Sequence, residues 1–228
     1  MKDCQMLLPI LGAALPAFLW LILFYRSDRY SPEPKRLVAR TFLIGAIVGA
    51  AMAFSLKEMP FKVGILFVPV FVAPVLEEIA KFLCVRWTVY HRSEFDEPVD
   101  GIVYATAAAL GFAMTENILY VIDGWTTGGA ALASYILAGR AVLSVPAHAI
   151  FSSMWGFALG WSKGRKGFRP VLMISAGLLA SMVLHGLFNY LSTQNFFGGL
   201  AFMVLLAIAW RVMYLLIRRS LKASENAG

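Results

Sequence analysis

The stretch "APVLEEIAKFL" (residues 73–83) decides the fold, because it is an apolar run that carries two adjacent carboxylates and a lysine. On both sides the chain continues in residues suited to hydrocarbon. An ionisable group at the centre of a bilayer costs roughly 2.5–3.5 kcal/mol on insertion scales, so such a group is by default a functional candidate. Glu77, Glu78 and Lys81 are therefore the first residues to explain.

Composition supports a membrane setting. Of the 228 residues 60% are hydrophobic and only 14% charged, with a mean hydropathy of +0.72. Soluble domains carry about 25% charged residues, so the balance is that of a polytopic membrane protein. The loops are short, and no repeat or low-complexity segment divides the chain, which reads as one integral-membrane domain over 1–228. Cys4 and Cys84 show no CxxC spacing and argue for neither a disulfide nor a thiolate metal site. The first apolar run, 6–25, is too long for a signal-peptide core and has no cleavage site after it, so it is read as a span.

A membrane helix needs about 20 apolar residues. The chain offers runs near 6–25, 40–56, 63–87, 101–122, 142–161, 170–191 and 199–217. The expected fold is thus an all-α bundle of about seven transmembrane helices, with a shorter apolar piece at 130–139 that is interfacial or re-entrant. Pro69 and Pro74 interrupt the third run, and a proline is comfortable in a first helical turn. The helix carrying Glu77 is therefore expected to begin near Pro74.

Loops 26–40, 86–100, 162–169 and 218–222 hold 5, 2, 4 and 3 of the 20 Lys and Arg residues. By the positive-inside rule that side is cytoplasmic, the N-terminus outside and the C-terminus inside. Anionic lipid headgroups suffice as counterions for the net charge of +7, and no nucleic acid is implied.

Glu116, His148 and His185 each lie six residues from the expected outer end of a span, at Ile122, Val142 and Leu191. At ~1.5 Å per residue all three sit about 9 Å below the outer surface, and Glu77 falls near the same layer if its helix starts at Pro74. His185 and Asn189 are i,i+4 neighbours on one helix face, as are Phe112 and Glu116. Glu78 is turned about 100° from Glu77, so the two cannot serve one atom. Glu77 is expected to activate a water, with Glu78 and Lys81 fixing the helix. His148 and Glu116 would position the water, and His185 with Asn189 would stabilise an oxyanion. Each residue also has a structural role open to it. Glu77, Glu78 and Lys81 could form an ion pair, and Glu116 with Asn117 could join helices. Arg140 is read as a snorkelling interface residue and Asp100 as an N-cap.

The string "EFDEPVDGIVYATAAALGFAMTENILYVI" (94–122) resembles the signature region of the PrsW family of bacterial intramembrane proteases. So do "EEIAK" (77–81), the histidine in "LSVPAHAIFSSMWGFALG" (143–160), "LHGLFNYL" (184–191) and the loop "RSDRYSPEPKR" (26–36). The layout is also similar to that of the CAAX prenyl endopeptidases, which carry His at the position of Glu116 in the Phe112-x-x-x-Glu116 motif. The resemblance implies a peptide hydrolase in the bacterial inner membrane, acting on a membrane-anchored protein near the extracytoplasmic face. For this family it implies site-1 cleavage of an anti-sigma factor in stress signalling. A glutamate-dependent, cofactor-free mechanism is the preferred expectation. A zinc site made of Glu77, Glu116, His148 and His185 is the alternative, although no HExxH motif is present. An ion- or proton-coupled transporter and a non-catalytic immunity or binding protein remain the rival classes. Against the transporter, the polar groups cluster in one leaflet and no repeat is visible.

Overall fold

The computed structural model describes residues 2–28, 31–57, 66–194 and 196–225. Residues 63–65, where the third span was expected to open, lie outside them, as do Lys62 and the side chain of Cys4. Every regular element among the described residues is helical. In chain order these are α1 (Lys2–Tyr25), α2 (Lys35–Lys57), α3 (Ala73–Thr88), α4 (Asp100–Gly139), α5 (Val145–Trp161), α6 (Phe168–Leu191) and α7 (Phe196–Glu225). A π-helical turn leads directly into α3 (Val68–Val72), and another leads into α5 (Arg140–Ser144). Four stretches are long and apolar enough to cross a membrane: Lys35–Ser55, Asp100–Trp161, Phe168–Leu191 and Gly198–Glu225.

The 62-residue stretch Asp100–Trp161 is not straight. Gly129 breaks it with φ 68° and ψ −162°, a backbone conformation that a residue with a Cβ rarely adopts. The chain folds back there, so that Val121 packs against Ala133, and Gly124 faces Ile136. Residues 130–139 are therefore not an isolated interfacial piece. They begin a helix that runs through the second π turn into α5. The helices continue past Ile122 and Val142 to this reversal, so neither residue is a helix end. The end of α6 at Leu191 is where it was expected.

α4 is the centre of the bundle, packed by α1, α2 and α5. Its face is Ala- and Gly-rich, and residues 101–113 are buried throughout. Small residues let helix backbones approach closely in a membrane. At the α4–α5 crossing a Cβ on Gly101 would strike the backbone of Gly156 and Gly160. α6 and α7 leave many large apolar side chains exposed, among them Leu172, Leu179, Val183, Met203 and Ile208.

The loops holding most of the basic residues meet at one end of the bundle. Tyr104 donates its hydroxyl to the Glu33 carboxylate, joining the first loop to α4. Lys163 donates to the carbonyls of Tyr90 and Arg92, and Arg219 lies over the Trp161 ring at 5.0 Å. Asp100 does not cap α4. Its Oδ2 accepts from the backbone N–H groups of Asp96 and Glu97 at 2.8 and 2.6 Å, closing the turn before the helix. Cys84 is a buried free thiol.

Candidate active site

Both π turns have one cause. A proline stands six residues after the first residue of each, Pro74 after Val68 and Pro146 after Arg140. The residue before each proline bonds five back instead of four, Ala73 N–H to the Val68 carbonyl and Val145 N–H to that of Arg140. The next carbonyl, on Pro69 or Ala141, would need the N–H that proline lacks. A side chain from another helix satisfies each. Asn189 Nδ2 donates to Pro69 at 2.7 Å, and Trp20 Nε1 to Ala141 at 3.3 Å.

A π turn takes in one extra residue and so changes the phase of the helix after it. In an unbroken α-helix Arg140 and His148 would stand about 80° apart. With one residue absorbed they differ by about 20° and share a face, two turns apart. Both side chains reach one atom, Glu116 Oε2, Arg140 Nη2 at 3.2 Å and His148 Nε2 at 3.1 Å.

The carboxylates of α3 have different surroundings. Glu78 is fully buried and fully occupied. Its Oε1 accepts from Lys81 Nζ at 2.9 Å and His185 Nδ1 at 3.1 Å. Its Oε2 accepts from Ser152 at 2.7 Å, Ser181 at 2.9 Å and Trp155 Nε1 at 3.0 Å. Glu77 faces the cavity. Its Oε2 is buried without a hydrogen bond, 3.5 Å from Lys81 Nζ and 3.8 Å from His185 Nε2. Lys81 also donates to His148 Nδ1 at 3.0 Å and sits 4.3 Å from the centre of the Phe112 ring. An ammonium can only donate, so His148 Nδ1 accepts and Nε2 carries the proton given to Glu116.

Glu77, Glu116, His148, His185 and Asn189 line one cavity of about 780 Å³, and Arg140, Tyr120 and Tyr135 contribute to its wall. The cavity also touches Ser192 and Thr193 beyond the end of α6, so it lies toward the bundle end away from the basic loops. All six residues expected at the site are thus in it or against it. Asn189 in this state serves the π turn. Arg140 does not snorkel, since its side chain is 17% exposed and is held by Glu116 and the Tyr120 ring, 4.0 Å away. Sequence reasoning missed Ser152, Trp155 and Ser181. Their signal was helical spacing, Ser152 four after His148 and Ser181 four before His185.

One ligand atom each from Glu77, His148 and His185 lies within 4.8 Å of the others, and among the described residues no other His, Cys, Asp and Glu group does so. This donor set suits zinc. His185 Nδ1 is tied to Glu78, which fixes the ring and leaves Nε2 toward Glu77, as an outer carboxylate does for a metal-bound histidine. Three carboxylates here face only two cationic side chains, Lys81 and Arg140, which leaves room for a positive charge. To hold a cation His148 must release one of its two present partners.

A family profile described as "PrsW family intramembrane metalloprotease" matches residues 33–216. The chain is similar to Protease PrsW of Geobacillus kaustophilus, 33% identical over 209 residues that cover 90% of this chain and 88% of that protein. It is similar to Protease PrsW of Oceanobacillus iheyensis, 34% identical over 189 residues (81% and 83%), and of Bacillus subtilis, 32% over 181 residues (78% and 79%). No solved structure matches the chain.

Proposed function

The chain belongs to the PrsW family of intramembrane metalloproteases, and from that premise we propose that it hydrolyses a peptide bond of a membrane-anchored protein close to the extracytoplasmic face. The observation that carries this is the meeting of Glu77, His148 and His185 on the wall of one cavity, beside Glu116. The basic end of the bundle is the cytoplasmic one, the seven helices cross the bacterial inner membrane, and the N-terminus is outside. The distribution of Lys and Arg supports that orientation. The substrate class is a single-span protein of the anti-sigma type, cut first at this site in a stress response.

Glu77, His148 and His185 would hold the metal. A zinc ion there would lower the pKa of a bound water to about 7 and polarise the scissile carbonyl. Glu116 takes the proton of the attacking water and returns it to the leaving amine. Once His148 Nε2 gives up Glu116 to hold the metal, Glu116 Oε2 stays with Arg140, which leaves Oε1 for that exchange. Glu78 takes no proton, since both its oxygens are occupied. It holds His185, while Lys81 fixes the spacing of Glu78, Glu77 and His148. Asn189 Nδ2, once it releases Pro69, is the donor placed to meet the oxyanion. The metal-dependent alternative is therefore preferred over the cofactor-free expectation.

The full chain in liposomes, incubated with a single-span peptide that has an outer juxtamembrane segment, tests the proposal. The expected result is two peptide fragments by mass spectrometry, absent with Glu77→Gln. Proton or ion flux across the same vesicles without any fragments would favour a transporter instead.

A further inference from the structure

We infer that Arg140 is a specificity-determining residue, a subsite that receives an acidic side chain of the substrate beside the scissile bond. The inference rests on the proteolytic reading above and deepens it. Arg140 is the only Lys or Arg on the cavity wall among the described residues. The rest of that wall is apolar or carries carboxylates, imidazoles, hydroxyls and the Asn189 amide, so apart from a metal held by Glu77, His148 and His185 an acidic residue of a bound chain meets its cation at Arg140.

The guanidinium is incompletely used. Nη2 is committed to Glu116 at 3.2 Å, while Nε is buried with no acceptor. A buried donor left unsatisfied is costly, and an acceptor brought in by substrate relieves that cost. Guanidinium presents a planar fork that matches a carboxylate bidentately, so the free Nε edge suits Asp or Glu better than a lone carbonyl oxygen. The Tyr120 ring, 4.0 Å from Cζ, closes one face of the guanidinium and holds its plane. The π turn puts Arg140 on the face of His148, two turns away, so an acidic residue held here lies at a fixed offset from the reacting bond. A carboxylate on the Nε edge takes Nε–H and one Nη2 hydrogen while Glu116 keeps the other Nη2 hydrogen, and the subsite and the proton acceptor work together.

The test uses the full chain in liposomes and a single-span peptide whose outer juxtamembrane positions are replaced in turn by Asp, Asn or Lys. At one position KM for the Asp peptide should be about tenfold below that for Asn, as expected for one charge-assisted pair. Arg140→Gln should erase that ratio, and Arg140→Glu should favour the Lys peptide. Arg140→Lys, which keeps the charge without the fork, should keep part of the preference and shows that the site tolerates substitution. Equal KM values for all three peptides with the wild type would overturn the inference while leaving proteolysis standing. So would an Arg140→Gln variant that loses kcat on every peptide but keeps the KM ratio. If the wild type cuts no peptide, the proteolytic reading fails and this inference with it.

Discussion

His185 Nδ1 lies 3.1 Å from Glu78 Oε1, and that bond turns the other ring nitrogen toward Glu77, 3.8 Å away. The adjacent glutamates of α3 are thereby divided in role: one builds the wall of the site and the other faces its contents.

Glu78→Gln should damage both stability and turnover. It removes the charge from a carboxylate that holds Lys81 and His185 in a fully buried setting, and breaking a buried pair typically costs about 3–5 kcal/mol. Glu77→Gln removes a proposed metal ligand, so it should abolish cleavage while the metal-free protein unfolds near the temperature of metal-free wild type. Thermal unfolding in detergent, read beside peptide cleavage, separates the two. Normal cleavage by the Glu77 variant would mean the roles are reversed.

Metal content gives a second check. Purified protein should carry about one zinc per chain, and a chelator should abolish cleavage until zinc is returned. His185→Ala and His148→Ala should each lose the metal. Full cleavage by metal-free protein would restore the cofactor-free mechanism.

Pro74→Ala tests the π turn. An alanine supplies the missing N–H, so the turn can relax to α-helix and rotate Glu77 by about 100° relative to Pro69. Cleavage should collapse while thermal stability holds or rises, because an interior proline costs a helix about 3 kcal/mol. Asn189→Ala, which removes the donor to the Pro69 carbonyl, should lower stability by about 0.5–1.5 kcal/mol. A Pro74→Ala variant that cleaves normally would falsify the phase account.

Stability should fall as pH rises through neutrality. Burial of Glu33, only partly countered by the Tyr104 hydroxyl, pushes its pKa up to about 7 from an ordinary value near 4.5. A carboxyl raised in the folded state contributes stability fully below about 4.5, and that contribution is lost as pH rises through about 7. Melting temperatures in detergent between pH 5 and 9 should show the decline, and Glu33→Gln should flatten it. A slope that survives Glu33→Gln would assign it to another group.

Topology can be read by labelling single cysteines in otherwise cysteine-free protein. A cysteine at Thr127, beside the Gly129 reversal, should react with an impermeant reagent from outside, and one at Ser27 only after the membrane is opened. The opposite pattern would invert the bundle and put the cavity on the cytoplasmic side.

Much of this was legible in the sequence, for physical reasons. Hydrocarbon excludes charge, so Glu77, Glu78, Glu116, His148 and His185 stood out against their apolar spans, and four of the five line one cavity with Glu78 directly behind it. Division of the glutamates followed from the 100° step between neighbours. What stayed hidden was set by backbone. The polar stretch 123–129 announces the reversal, but Arg140 interrupts the apolar run that follows it, so 130–139 was separated from the helix it begins. Sequence reasoning passed over Pro146, and nothing local says that it shifts Arg140 onto the face of His148. The donors around Glu78 are serines and a tryptophan, residue types common in any membrane helix.

The two π turns also tie chain length to helix type, so that one residue can be traded against one turn. Deleting one residue from 141–144 would remove the π turn and leave seven plain α-helical steps between Arg140 and His148, which still puts them within about 20° of one face. Among homologous sequences, a one-residue gap at 68–72 or 140–144 should thus travel with loss of the proline that follows it, whereas loss of the proline alone would turn the helix. The paired change would mark a chain that brings its histidine and glutamates to the same point by a plain helix one residue shorter.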